Sequence, residues 1–170
     1  MPPRRAPFLL RAEGGAAGGL IGAVAVAVMF FINGAIHLTP LAVPSALTSA
    51  WFAGTSAGSS APTGLSLNLV VVLNLLVYTA LHLVTFAIVG VSATFVVEGS
   101  RFWKSVCTGA IYAGVVCTGL LYVVGSVRNT PVALEVLGLH RVLLANMLAG
   151  AMIGGALYVV EHGAEHDVAV

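Results

Sequence analysis

Long apolar runs alternate with short polar breaks along this chain. The first run covers roughly residues 16–39, and Pro40 and Pro44 then deny a helix its backbone donors, so the helix is predicted to stop there. The second, 67–97, ends at Glu98-Gly99-Ser100-Arg101. The third, 102–127, opens with Trp103 and Lys104, residue types that favour the membrane boundary. Beyond Arg128-Asn129-Thr130-Pro131, where Thr130 can cap and Pro131 can fill a first helical turn, the fourth run covers 131–160. Each reaches the ~20 apolar residues that carry a helix across a bilayer. The pattern predicts an all-α membrane protein, one domain over residues 1–170, with four transmembrane helices in an up-down bundle.

The second run would exceed ~45 Å as a single helix, so it is expected to tilt or to protrude from one side. Residues 40–66 carry no charge and are rich in Pro, Ser, Thr, Ala and Gly, which reads as an outer loop with an interfacial piece around Trp51 and Phe52. Arg4, Arg5 and Arg11 ahead of the apolar stretch from Leu20 to Ile32 have the form of a secretory signal, but the segment is read as the first spanning helix. Arg4, Arg5, Arg11, Arg101 and Lys104 fall on one side of the expected bundle and Arg128 and Arg141 on the other, which puts both termini in the cytoplasm.

Composition sharpens the picture. Hydrophobic residues make up 59% of the 170 and charged residues 8%, where an ordinary soluble domain carries roughly a quarter. A net charge of +1 gives no field for nucleic acid. Cys107 and Cys117 lie in one apolar run about 15 Å apart along a helix, beyond disulfide reach, and read as small apolar packers.

In lipid, helices associate where small residues let backbones approach. Gly14, Gly18 and Gly22 are spaced by four, as are Gly15 and Gly19, Gly150 and Gly154, and Ala151 and Gly155. The repeat of Cys107-Thr108-Gly109 with Tyr112 as Cys117-Thr118-Gly119 with Tyr122 is shifted by ten residues, so its copies face different directions. Gly18, Gly22, Gly150 and Gly154, with the polar Asn74, Tyr78 and Asn146, are the expected helix-packing positions.

Ionisable and amide side chains at membrane depth are costly and usually face a partner. Asn33 and His37 are four apart, Asn74, Tyr78 and His82 form a stripe at i, i+4 and i+8, and His140 and Arg141 sit toward the outer end of the fourth run. Two readings compete. His37, His82 and His140 are candidate ligands for haem, or relays to a quinone, because neutral imidazole is both ligand and base; alternatively the polar groups only join helices. His37 and His82 would differ by nearly ~20 Å in depth, too far to share one iron, unless the second helix protrudes. A cluster of His37, Glu135 and His140 at the outer face is the sterically easier site. His162 and His166 near the C-terminus have ligand spacing but read as a solvated tail. There is no phosphate loop, CxxC pair, HExxH helix or nucleophile elbow, so no catalytic residue and no metal site is assigned.

Three fragments, His37-Leu38-Thr39-Pro40, Tyr78-Thr79-xx-His82-xxx-Phe86-xxx-Gly90 and Ala145-Asn146-Met147-Leu148-Ala149, resemble a group of bacterial four-helix integral membrane proteins to which no activity is attached. The resemblance implies four helices in a bacterial inner membrane, and residues 40–66 are longer and richer in Ser and Gly than it leads one to expect. The expected function is a non-catalytic accessory subunit packing against lipids and other integral membrane subunits, with respiratory or photosynthetic assemblies as candidate hosts. An electron-transfer protein binding haem or quinone is the alternative, and a small transporter the third.

Overall fold

The computed structural model describes residues 7–36, 69–127 and 138–166, and among them the chain is all helical. Four helices are present there: α1 (Phe8–Ile36), α2 (Leu69–Ala93), α3 (Phe102–Val127) and α4 (Leu139–His166). Each contains a stretch long and apolar enough to cross a membrane: Phe8–Ile36, Leu75–Ala93, Phe102–Val124 and Leu139–Gly163. The outer loop expected at 40–66, with Trp51 and Phe52, lies outside the described residues.

The helix bounds differ from the expectation at both chain ends, for identifiable reasons. α1 begins at Phe8 rather than near residue 16, with the Pro7 carbonyl accepting the Arg11 N–H at 3.1 Å. Arg11 is inside the first turns because its charge finds a partner in the fold. α2 stops at Ala93, four residues short of 97. There Ser92 Oγ bonds the Val89 carbonyl at 2.9 Å and Thr94 Oγ1 the Val91 carbonyl at 2.6 Å, and i→i−3 backbone bonds from Thr94, Phe95 and Val96 tighten the chain into a turn. α3 keeps its expected bounds. α4 starts at Leu139, not residue 131, because Gly138 sits at φ 76°, a left-handed conformation that ends any right-handed helix; the Gly138 carbonyl accepts from the N–H groups of Arg141 and Val142. Thr130 and Pro131 lie outside the described residues. At its other end α4 continues through Glu161 and His162 to His166, so the segment expected to be a solvated tail is helix.

The close contacts are α2 against α1, α1 against α4 and α4 against α3, whereas α2 and α3, although consecutive, touch at few points. Each tight contact is a crossing of small residues. On α1, Gly15 and Gly19 lie against the backbone at Gly90 and Phe86 of α2, while Gly14, Gly18 and Gly22 lie against Val160, Ile153 with Ala156, and Ala149 of α4. One helix thus shows two glycine stripes, one to each neighbour. On α4, Gly150 meets Gly109, and Gly154 meets Ser105 and Val106 of α3. In all three pairs the residue number rises on one helix as it falls on the other, so packed neighbours are antiparallel. Between them runs a core of Ala23, Val26, Phe86, Val89, Ala113, Cys117, Ala145, Ala149, Ile153 and Leu157. Gly155, one of the expected small positions, has open space before it, as does Gly119. The ten-residue repeat in α3 behaves as its rotation dictates: Cys117 and Gly109 are buried, whereas Cys107, Gly119 and Tyr122 face outward.

Candidate functional site

The polar side chains within the apolar spans form interhelical links. His82 on α2 reaches α1, its Nε2 lying 3.1 Å from the Ala23 carbonyl. Asn146 on α4 is buried and donates from Nδ2 to Thr118 Oγ1 of α3 at 3.1 Å. Below it Ser105, fully buried, donates to the Gly154 carbonyl at 2.9 Å. Tyr112 of α3 donates to Ser92 Oγ of α2 at 2.8 Å, one of the few bonds between those two helices. With no water to compete, such groups are satisfied across the interface or not at all, and each link is worth roughly 0.6 kcal/mol or somewhat more.

A second cluster gathers charge where the start of α1, the α2–α3 turn and the end of α4 meet. Arg11 Nη2 donates to the Val97 carbonyl at 2.8 Å. Its Nε lies 3.0 Å from Glu161 Oε1 with both side chains well covered, 12% and 15% exposed, but that N–H does not point at the oxygen, so the attraction is a charge pair rather than an aligned hydrogen bond. The Glu161 carboxylate in turn lies against Gly99, where a β-carbon would collide with it. Lys104 and Glu98 form a second pair at 2.7 Å on the exposed rim. Aromatic rings surround the cluster: Phe8 packs on Phe95, and Phe102 packs on Trp103 and on Tyr158, which in turn lies 3.9 Å from the His162 ring. His162 bonds the Tyr158 carbonyl of its own helix at 3.0 Å.

The structure separates the candidate histidines that it describes. His82 stands level with Ala23, and Gly22 beside it meets Ala149. His140 is nine residues from Ala149, about 14 Å along α4, and exposed at its start. The two are not brought together. His37, Glu135 and the side chain of His166 lie outside the described residues, as does the side chain of Asn74. Tyr78 is half-buried and stacks on His82 with ring centroids 5.4 Å apart, and Phe86 lies on the other side of the imidazole at 4.8 Å. Among the described residues no group of three or more His, Cys, Asp or Glu is placed to hold a metal ion.

Sequence reasoning missed Arg11 and Glu161 as a pair. Glu161 falls just past the fourth apolar run, in the segment read as a solvated tail, and the available signal was only that both termini were expected on one side of the bundle. Ser105, Thr118 and Ser92 gave no such signal, because a hydroxyl's partner depends on which helix lies opposite. No family model matches the chain, and neither does any curated protein or solved structure.

Proposed function

We propose that the protein is a small non-catalytic subunit of the bacterial inner membrane, an up-down bundle with both termini in the cytoplasm, that packs against larger integral membrane proteins. The observation that supports this reading is where the polar chemistry is spent. His82 Nε2, Asn146, Ser105, Tyr112 and the Arg11–Glu161 pair each tie one part of the chain to another. Such groups build a rigid body rather than a reaction centre. Around it the outward faces are apolar, from Ile111 and Val115 on α3 to Leu144 and Val159 on α4, and they suit lipid or a neighbouring helix equally. The orientation draws support from Arg11, Arg101 and Lys104, which share one end of the bundle with an exposed Trp103, as a cytoplasmic boundary requires.

Extraction of native membranes in mild detergent, followed by native electrophoresis and mass analysis, tests the reading. A stoichiometric membrane partner is expected to travel with the chain; migration as a lone 17.3 kDa chain refutes it. Cysteine labelling at each terminus in intact cells tests the orientation, and reaction of either terminus from outside refutes it.

A further inference from the structure

His82 is an intramembrane link with an acceptor left over. A carbonyl oxygen can only accept, so the contact with Ala23 requires the proton on Nε2, which in the uncharged ring leaves the Nδ1 lone pair as an acceptor. Among the described residues Nδ1 has no hydrogen-bond partner, nor has the Tyr78 hydroxyl one turn away. Both side chains are half-buried rather than enclosed. Thr79, beside Tyr78, has no proton left for Nδ1, since its hydroxyl donates to the Leu75 carbonyl at 2.7 Å. An acceptor and a hydroxyl therefore lie within the span, on two neighbouring rings of a Tyr78, His82 and Phe86 run. In a bilayer core water is not there to satisfy them.

We infer that the Tyr78–His82 face of α2 binds a membrane-soluble hydroquinone, with His82 Nδ1 accepting a hydrogen bond from a ring hydroxyl. A hydroxyl on an apolar body is the chemistry the open lone pair selects, and the aromatic run favours a planar ring over an aliphatic alcohol. The Ala23 carbonyl holds the imidazole in the tautomer this requires, so α1 positions the ring while α2 supplies it. The inference stands apart from the subunit reading, because the residues it is argued from all lie on α1 and α2 of one chain.

The test uses the full chain in lipid nanodiscs with three probes: a decyl-substituted hydroquinone, its dimethyl ether, which keeps ring and tail but cannot donate, and dodecanol. Nitrogen NMR of histidine-labelled protein reads Nδ1 of His82 directly, with no substitution in the binding face, and its signal is assigned by its loss in His82→Phe. The hydroquinone is expected to shift that signal saturably, and the ether to bind about 3- to 15-fold more weakly, as loss of one hydrogen bond in an apolar medium implies. Tyr78→Phe, which keeps the ring stack, is expected to weaken hydroquinone binding without unfolding the chain. An Nδ1 signal unmoved at saturating hydroquinone overturns the inference, and so does equal binding of the ether. If dodecanol moves the signal as strongly as the hydroquinone, the site is no more than a contact for any bilayer alcohol, and the inference fails in that case too.

Discussion

Two mid-helix glycines with opposite surroundings allow the packing argument to be tested by difference. Gly22 on α1 and Gly155 on α4 are both mid-helix, so replacing either by alanine brings a similar gain in helix propensity, at most about 1 kcal/mol. Their neighbourhoods are unlike. A β-carbon on Gly22 would stand 2.9 Å from both Cα and Cβ of Ala149, whereas one on Gly155 would meet nothing within 4 Å. Ordinary carbon contact needs about 3.5–4.0 Å, so α1 and α4 must part by roughly 0.5–1 Å at that level, which forfeits a quarter to a half of each dispersion well. Taking about 40 atom pairs across the crossing at ~0.15 kcal/mol each, the loss is about 1.5–3 kcal/mol, within the range found for overpacked interiors. Because the propensity gain cancels in the comparison, Gly22→Ala is expected to be less stable than Gly155→Ala by about that amount. Reversible unfolding in bicelles, titrated with a denaturing detergent, measures both variants. Stabilities within ~0.5 kcal/mol of each other would refute the claim that close backbone approach holds these helices.

At the charged end, Arg11→Met leaves the Glu161 carboxylate covered without its counter-charge and the Val97 carbonyl without its donor, so a loss of about 2–4 kcal/mol is expected; Arg11→Met with Glu161→Gln should recover part of it, and a double variant worse than the sum of the singles refutes the pairing. Asn146→Leu should cost about 0.6 to 1.7 kcal/mol, and in a Thr118→Val background it should cost measurably less; equal cost in both backgrounds would show that the bond carries no weight. Cys107 is exposed and Cys117 buried, so a small maleimide should label Cys107 alone in the folded protein and both in denaturant, as read by mass; prompt labelling of Cys117 in the folded state contradicts the packing of α3.

How much of this was legible in the sequence depends on the kind of interaction involved. The four apolar helices were legible because hydropathy over ~20 residues is a sum, insensitive to any one position. The Gly14-Gly18-Gly22 and Gly15-Gly19 spacings were legible as packing faces, but which stripe meets which neighbour was not, since that depends on which helices lie beside α1. The start of α1 was misplaced because Arg4, Arg5 and Arg11 read as a basic flank ahead of the apolar run, when Arg11 is held by Glu161 from the far end of the chain. The start of α4 was misplaced for a local reason: Pro131 offers a first helical turn, and nothing in the hydropathy pattern marks the left-handed Gly138. Of the expected polar positions, Asn146 and the Tyr78–His82 pair emerge with defined geometry and His140 does not, because an exposed residue at a helix end has nothing to fix it.

The uneven contacts between helices explain why the chain's few charges lie where they do. α2 and α3 are joined by a short turn and would ordinarily pack as a hairpin, yet they touch at few points and each packs chiefly on a terminal helix. Packing between α2 and α3 therefore does little to hold their connecting turn in place. Arg11 grips it through the Val97 carbonyl and Glu161 through its seat on Gly99, so the helices from the two chain ends hold the midpoint of the chain. An apolar side chain could not do this at a membrane boundary, where lipid competes equally for any hydrophobic contact; a charge pair can, because lipid offers it nothing. Covering two charges costs desolvation, and the return is in register more than in net stability. With α1 fixed against the turn, Gly15 and Gly19 fall opposite Gly90 and Phe86, and Ala23 falls opposite His82. The tautomer of that histidine, and with it the acceptor left within the span, follows from a register that the distant pair helps to set.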